Sequence, residues 1–388
     1  MTGIFDQPSR WMDEELVLFD DSVRRTLADN VSPERLARWR DDGIVERAAW
    51  REMAEAGLLG ISIAPEYGGA GGDFRHEAVL IRRLGLAGAD GWGVPLHNGI
   101  VAPYIERYGT AEQRRRWLPK IVSGEVITAI AMTEPGAGSD LRGIRTNAVR
   151  EGGAYKISGQ KTFISNGQHA DLIIVVARTD PAAGSKGISL FGVETGDAVG
   201  FRRGRNLDKV GLEMADTSEL FFDDVEVPAA NLIGGEEGHG LHQLMQQLPQ
   251  ERLMIAIEAL ALMEAAVDHT LAYVRDRKAF GQRLLDFQNT QFRLAECKTE
   301  AMVARSFVDQ CIADHVRGEL DAAGASMAKL WVAERAQRVV DSCQQLFGGY
   351  GYMNEYPIAQ MYKDVRVKRI YGGTSEIMKL LIARSLEQ

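Results

Sequence analysis

The hydrophobic period of this chain changes twice, and no other feature restricts its fold as strongly. Up to about residue 125, apolar residues recur every three or four positions, as in Glu14–Ala28 and Glu34–Gly57, which predicts helices. Thr110, followed three residues later by Gln113, has the form of a capping box opening a helix through Val122. From Val126 the runs shorten. Tyr155–Ser158, Thr162–Ser165, Leu172–Ala177, Ile188–Val193 and Glu219–Val227 alternate or are β-branched, with Gly, Asn and Asp between them, so short antiparallel strands are expected. After Gly238 the helical period returns in Arg252–Arg277, Phe287–Arg317 and Gly324–Phe347, long enough to suggest a four-helix bundle. The expected architecture is α+β in three parts: an N-terminal helical domain (1–125), a middle antiparallel β domain (126–235) and a C-terminal helical bundle (236–388).

A chain of 388 residues exceeds one ordinary core, in keeping with several packed parts. Its net charge of −9 argues against a nucleic-acid binder, and the runs Arg114–Arg116 and Arg202–Arg205 read as solvated charge. Cys297, Cys311 and Cys343 are too far apart for a C-x-x-C pair and read as buried thiols of a reducing compartment. His239 and His242 have no third ligand nearby, so no metal site is expected. No apolar run approaches the length of a membrane span. The acidic start, with Asp13, Glu14 and Glu15, is neither a secretory signal nor a transit peptide, so a cytoplasmic protein, or a matured organelle form, is expected. Pro65–Gly72 is glycine-rich, but no Gly-Lys-Ser/Thr follows, and it reads as a connector.

Six blocks then stand in a telling order. They are Tyr108-Gly109-Thr110 through Trp117-Leu118-Pro119, Ala131–Asp140 (A-M-T-E-P-G-A-G-S-D), Lys161–Gly167, Arg277–Gly281, Gln345–Gly349 and Tyr371–Glu376. Together they resemble the acyl-CoA dehydrogenase family over nearly the whole chain. The resemblance implies FAD as cofactor and oxidation of the Cα–Cβ bond of an acyl thioester. A Pro- and Gly-containing turn exposes backbone N–H groups, which suits a flavin edge and a pyrophosphate. By resemblance Met132 and Thr133 contact the flavin ring, Gly138 and Ser139 lie at the pyrophosphate, and Ser139 also faces substrate. Phe163, Ile164 and Ser165 lie against the isoalloxazine, with Phe163 where many members carry Trp. Arg277 reaches the pyrophosphate of a neighbouring subunit's FAD, with Phe280, Gln288, Gln345 and Gly349 at the adenosine end. Thr374 and Glu376 face FAD, while Arg252, Tyr371 and Gly373 contact substrate. A site shared between chains implies an oligomer, in this family usually a homotetramer.

The reaction needs a carboxylate at the substrate α-carbon and a hydrogen-bond donor for the thioester oxygen. Many members place the base directly after the tyrosine of the last block. Here that position is Gly372. Leu248–Leu253 instead resembles the segment that carries the base on a bundle helix in long-chain and isovaleryl-type members, which makes Glu251 the expected base. A second carboxylate in one small cavity would repel the first, so glycine at 372 is the expected complement. The Gly372 backbone N–H survives as the oxyanion donor.

Lys209–Leu212, Asp216–Phe222, Leu248–Leu253 and Glu376–Arg384 look most like long-chain members, so a medium-to-long or branched acyl-CoA is the expected substrate. By analogy the electron acceptor is electron-transferring flavoprotein. One alternative is a flavin oxidase or monooxygenase on the same scaffold, which would commonly lack the base. Another is a non-catalytic acyl-CoA-binding protein, which would not need intact flavin blocks.

Overall fold

The protein is described by a computed structural model covering residues 3–387. Six helices open it: α1 Glu14–Asn30, α2 Pro33–Asp42, α3 Arg47–Glu55, α4 Phe74–Leu86, α5 Ala102–Tyr108 and α6 Ala111–Val122. Asp13, Ser32 and Asp73 cap the starts of α1, α2 and α4 with side-chain oxygens. Both bonds of the Thr110/Gln113 capping box are made at α6. The single helix expected over 34–57 is two. Gly43 takes φ 67° and ends α2, a left-handed turn that periodicity does not register. Trp39, Trp50 and Trp92 then pack together in the core of this part. The Pro65–Gly72 segment is tied back on its own approach, with Gly71 and Gly72 N–H groups donating to the carbonyls of Ile63 and Ile61.

Seven strands follow: β1 Thr128–Ala131, β2 Asn147–Glu151, β3 Ala154–Ser165, β4 Leu172–Arg178, β5 Ile188–Glu194, β6 Phe201–Asn206 and β7 Thr217–Pro228. Their order is β1-β4-β2-β3-β7-β6, with β5 also on β4. The sheet is mainly antiparallel but not wholly so. β1 runs parallel to β4, and β2 meets β4 in parallel at Asn147 and Arg178. Parallel neighbours need a long connection, and β2 and β3 lie between β1 and β4 in the chain. Alternation marks a strand without showing its direction. The runs 155–158 and 162–165 belong to one strand, β3, whose register shifts between Lys161 and Ile164. In the basic run 202–205, which lies in edge strand β6, Arg202 and Arg205 are exposed as expected, while Arg203 is half-buried and donates to the Gly167 and Ala170 carbonyls.

The last part contains α7 Gly240–Asp276, a short hairpin (β8 Lys278–Ala279, β9 Gln282–Arg283), α8 Gln288–Val316, α9 Ala322–Leu346, α10 Pro357–Asp364 and α11 Ser375–Ser385. α7 starts well before Arg252, with Pro249 inside it, so Glu251 sits mid-helix. α7 is buried over much of its circumference because α4, α8 and α9 all pack on it. Cys297, Cys311 and Cys343 are buried and unpaired by disulfides. Among the described residues no helix is long and apolar enough to cross a membrane.

Candidate active site

The Thr133–Asp140 turn leaves β1 and is anchored from below. Glu134 is buried and accepts from the backbone N–H groups of Arg145 (2.7 Å) and Thr146 (2.9 Å) and from Lys161 Nζ (2.9 Å). Lys161 also donates to the Met132 carbonyl at 3.1 Å, and Thr162 N–H to the Thr133 carbonyl at 2.9 Å. Burial pushes the Glu134 carboxyl up, but the Lys161 charge and these hydrogen bonds outweigh it and hold it below its ordinary range. With its root fixed, the turn presents Gly136, Gly138 and Ser139 at the surface, and Met132 and Thr133 are half-buried beside them. A cleft of about 490 Å³ opens next to it, lined by Glu134, Gly136, Arg145, Asn147 and Gln160 among others.

Phe163 stands at the β3 register shift with φ 59°, and 67% of it is exposed. A left-handed backbone under a bulky exposed ring is strained and gains nothing from the core. The ring is thus open to a ligand from outside the chain. Its neighbour Ile164 turns inward and is buried among Ile157, Leu220 and other β-domain core residues, so only its backbone is left for a ligand. Ser165 is partly exposed and pairs with Thr217.

A second groove, about 620 Å³, lies at the far end of α7 and α9 and shares no lining residue with the first. Arg277, Thr290, Gln345, Gly348 and Gly349 help to line it. The Arg277 guanidinium sits 5.3 Å over the Tyr350 ring. A Cβ at Gly348 or Gly349 would meet only open space. Phe280 caps the β8–β9 hairpin at φ 51°, 96% exposed, with Gly281 after it at φ 81°. Hairpin turns with two positive φ angles favour Asn-Gly, so phenylalanine here is a second strained, bare aromatic. Gln288 is exposed at the first turn of α8.

Glu251 is only 5% exposed. Tyr104, from α5, donates to its Oε1 at 2.9 Å. Burial pushes the Glu251 carboxyl up to about 7, against the lowering effects of the Tyr104 bond and the Arg252 charge. Ile255, one helical turn onward and on the same face, meets the loop that carries Gly372. Gly372 has φ 62°, and a Cβ there would lie 2.2 Å from Ile255 Cδ1. Glycine at 372 thus avoids backbone strain, and it leaves room for the tip of the Ile255 side chain, which would have to move aside for a Cβ. The loop is clamped on both sides. Lys329, buried in α9, donates to the Gly373 carbonyl at 2.5 Å. The Tyr371 hydroxyl donates to Glu258 at 2.7 Å and accepts from Lys368 at 2.8 Å. Lys368 also pairs with the buried Asp90.

These contacts bear on residues expected to meet substrate. The Tyr371 hydroxyl is committed to the Glu258–Lys368 network, which leaves its ring and backbone for a ligand. Arg252 is buried toward α9, its Nη1 3.5 Å from Ser326 Oγ and its Nε without a partner. Thr374 caps α11 through its side chain, and Glu376 is exposed in the first turn of that helix. Sequence reasoning missed Tyr104, Lys329 and the Glu134–Lys161 pair. Glu134 and Lys161 both lie inside motif blocks, which is a usable signal. Tyr104 and Lys329 carry no local mark.

The fold and clefts define a three-part α–β–α enzyme scaffold. Family models describe the same three parts: acyl-CoA dehydrogenase N-terminal domain (residues 13–125), middle domain (129–225) and C-terminal domain (238–387). The rat protein "Long-chain specific acyl-CoA dehydrogenase, mitochondrial" is 49% identical over 371 residues, covering 95% of this chain and 86% of its own. Isovaleryl-CoA dehydrogenase of Arabidopsis thaliana is 36% identical, covering 96% and 91%. The crystal structure of acyl-CoA dehydrogenase from Geobacillus kaustophilus superposes with a TM-score of 0.95 at 49% identity, covering 98% of this chain and 100% of that one.

The chain belongs to the acyl-CoA dehydrogenase family. It is an FAD-dependent oxidoreductase acting on CH–CH groups. The residues present fit that cofactor: two exposed, strained aromatic rings, a glycine-floored groove beside a guanidinium, and a turn with surface glycines.

Proposed function

We propose that the protein removes the α-proton of a medium-to-long or branched acyl-CoA with Glu251 as base, forming the trans-2-enoyl-CoA. The observation that supports this reading most is a buried carboxyl, held by Tyr104 and pushed up to about 7 by burial, on the helix face that also meets the Gly372 loop. A base is most effective when its pKa is near the operating pH. The Gly372 N–H holds the thioester oxygen as charge develops, a contribution of about 2.7–4 kcal/mol for one such donor. Lys329 and the Tyr371 network keep that N–H in place by fixing both its flanks. FAD supplies the acceptor for the β-hydride.

In this reading Met132, Thr133, Gly138, Ser139, Phe163, Ile164 (by backbone) and Ser165 hold the flavin end, and Thr374 and Glu376 contribute from the start of α11. Ser139, Arg252, Tyr371 and Gly373 serve the substrate. Arg277, Phe280, Gln288, Gln345 and Gly349 form the adenosine side for a neighbouring subunit's FAD, in a homotetramer built as a dimer of dimers. The exposed apolar side chains of Phe292, Met302 and Val303 on α8 support such an assembly. The domain limits are 1–125, 126–235 and 236–388, and reduced flavin passes its electrons to electron-transferring flavoprotein.

The test is anaerobic titration of the yellow enzyme with straight and branched acyl-CoAs. Glu251→Gln is expected to keep FAD and bind ligand without bleaching. Bleaching at the parent rate would refute the assignment.

A further inference from the structure

This inference rests on Glu251 being the base. Tyr104 is fully buried, 147 positions from Glu251 in sequence, and its hydroxyl donates to Oε1 at 2.9 Å. Among the described residues, Oε2 has no hydrogen-bond donor of its own. The two carboxylate oxygens are thus chemically unequal before any substrate arrives. The helices carrying the pair are fastened beside this bond. Tyr108 donates to Gln246 Oε1 at 2.9 Å, and Gln250 Nε2 donates to the Gly99 carbonyl at 2.6 Å. The phenol is therefore delivered from a fixed frame.

We propose that Tyr104 is a positioning residue for the dehydrogenation: it clamps Oε1 of Glu251 and so makes Oε2 the atom that takes the substrate proton. The terminal torsion of a glutamate is broad, and a single strong acceptor contact removes most of that freedom. A hydrogen bond to an ionised group also favours the ionised form. Burial pushes the Tyr104 phenol's own proton loss well above its ordinary range, so it remains a donor throughout the working pH range. Arg107 of α5 and His315 of α8 both bond to Gln250, next to Glu251, and burial holds His315 low at about 4. Tyr108 lies beside Tyr104 on α5, Arg252 follows Glu251 on α7, and Lys329 of α9 acts on Arg252 from beyond. Tyr371, from the Gly372 loop, is held by Glu258 and Lys368.

The experiment measures flavin reduction by acyl-CoA against pH for the holoenzyme. Tyr104→Phe is expected to keep its FAD and move the acidic limb of kcat/KM upward by about one pH unit, roughly a tenfold loss of rate at the foot of the limb. Replacing Tyr104 with 3-fluorotyrosine, a stronger donor, is expected to move the limb the other way. A folded, yellow Tyr104→Phe enzyme with the parent's limb overturns the proposal. Should that variant not hold FAD, an unmoved limb in the fluorinated enzyme overturns it instead. Glu251→Gln separates the two ideas. If it reduces FAD at the parent rate, the base assignment itself fails. If it is inactive while the Tyr104 limbs stay put, only the positioning role fails.

Discussion

Glu251→Gln has a consequence for stability that is independent of catalysis. Lifting this carboxyl from 4.5 to about 7 penalises its charged form by roughly 3 kcal/mol, at 1.36 kcal/mol per pH unit. Glutamine keeps the volume and leaves an oxygen to accept from Tyr104, but carries no charge. The sign follows from linkage: the folded-state value lies above the unfolded one, so the native protein holds the extra proton between about 4.5 and 7. The stability that proton confers is complete below 4.5 and is lost as pH rises through 7. At pH 8 the parent therefore bears the full penalty and the variant none. Glu251→Gln is expected to be more stable at pH 8 by up to about 3 kcal/mol, with the difference fading toward pH 4.5. Urea unfolding at a series of pH values measures this, with FAD saturating and protein concentration equal, because bound ligand and subunit association both shift apparent stability. A variant less stable than the parent at pH 8, or a difference constant from pH 5 to pH 8, would refute the reasoning.

Phe163→Gly relieves a left-handed strain of about 1–2 kcal/mol and loses little buried surface, while glycine adds backbone entropy to the unfolded chain. The apoprotein is expected to change by less than about 1 kcal/mol, whereas FAD binds more weakly by fluorescence titration. Unchanged FAD affinity would remove the ring from the site. Gly372→Ala places a Cβ at φ 62° against Ile255 Cδ1 and is expected to lose about 1–2 kcal/mol from the backbone alone. Adding Ile255→Val deletes the clashing methyl and recovers only the steric share, so full recovery in urea unfolding would show that backbone strain is absent.

Much of the fold is legible in local patterns because helices, strands and caps are set by neighbours a few residues apart. The switch of period near Val126 and again after Gly238, the Thr110/Gln113 box and the long bundle helices all appear in the structure where those patterns stand. The misses fall where a distant partner or a single backbone angle decides. Gly43 splits a helix through one positive φ, and β1 pairs in parallel with β4, 44 positions away at Thr128 and Leu172.

The candidate site divides in the same way. Gly372, Arg277 and Phe163 are legible because the motif blocks name their positions, and Glu251 because Leu248–Leu253 resembles the segment that carries the base on a bundle helix. Which oxygen of Glu251 is engaged, what the Gly372 backbone packs against, and what holds the 371–373 loop are not. Those answers lie with Tyr104, Ile255 and Lys329, which reach the site from three different helices. The order of parts, the motif blocks and the identity of the candidate carboxylate can be read from the residues alone, since each is written in adjacent positions. The burial of that carboxylate and the oxygen Tyr104 engages emerge with packing, because both are made by side chains that meet after the chain has folded.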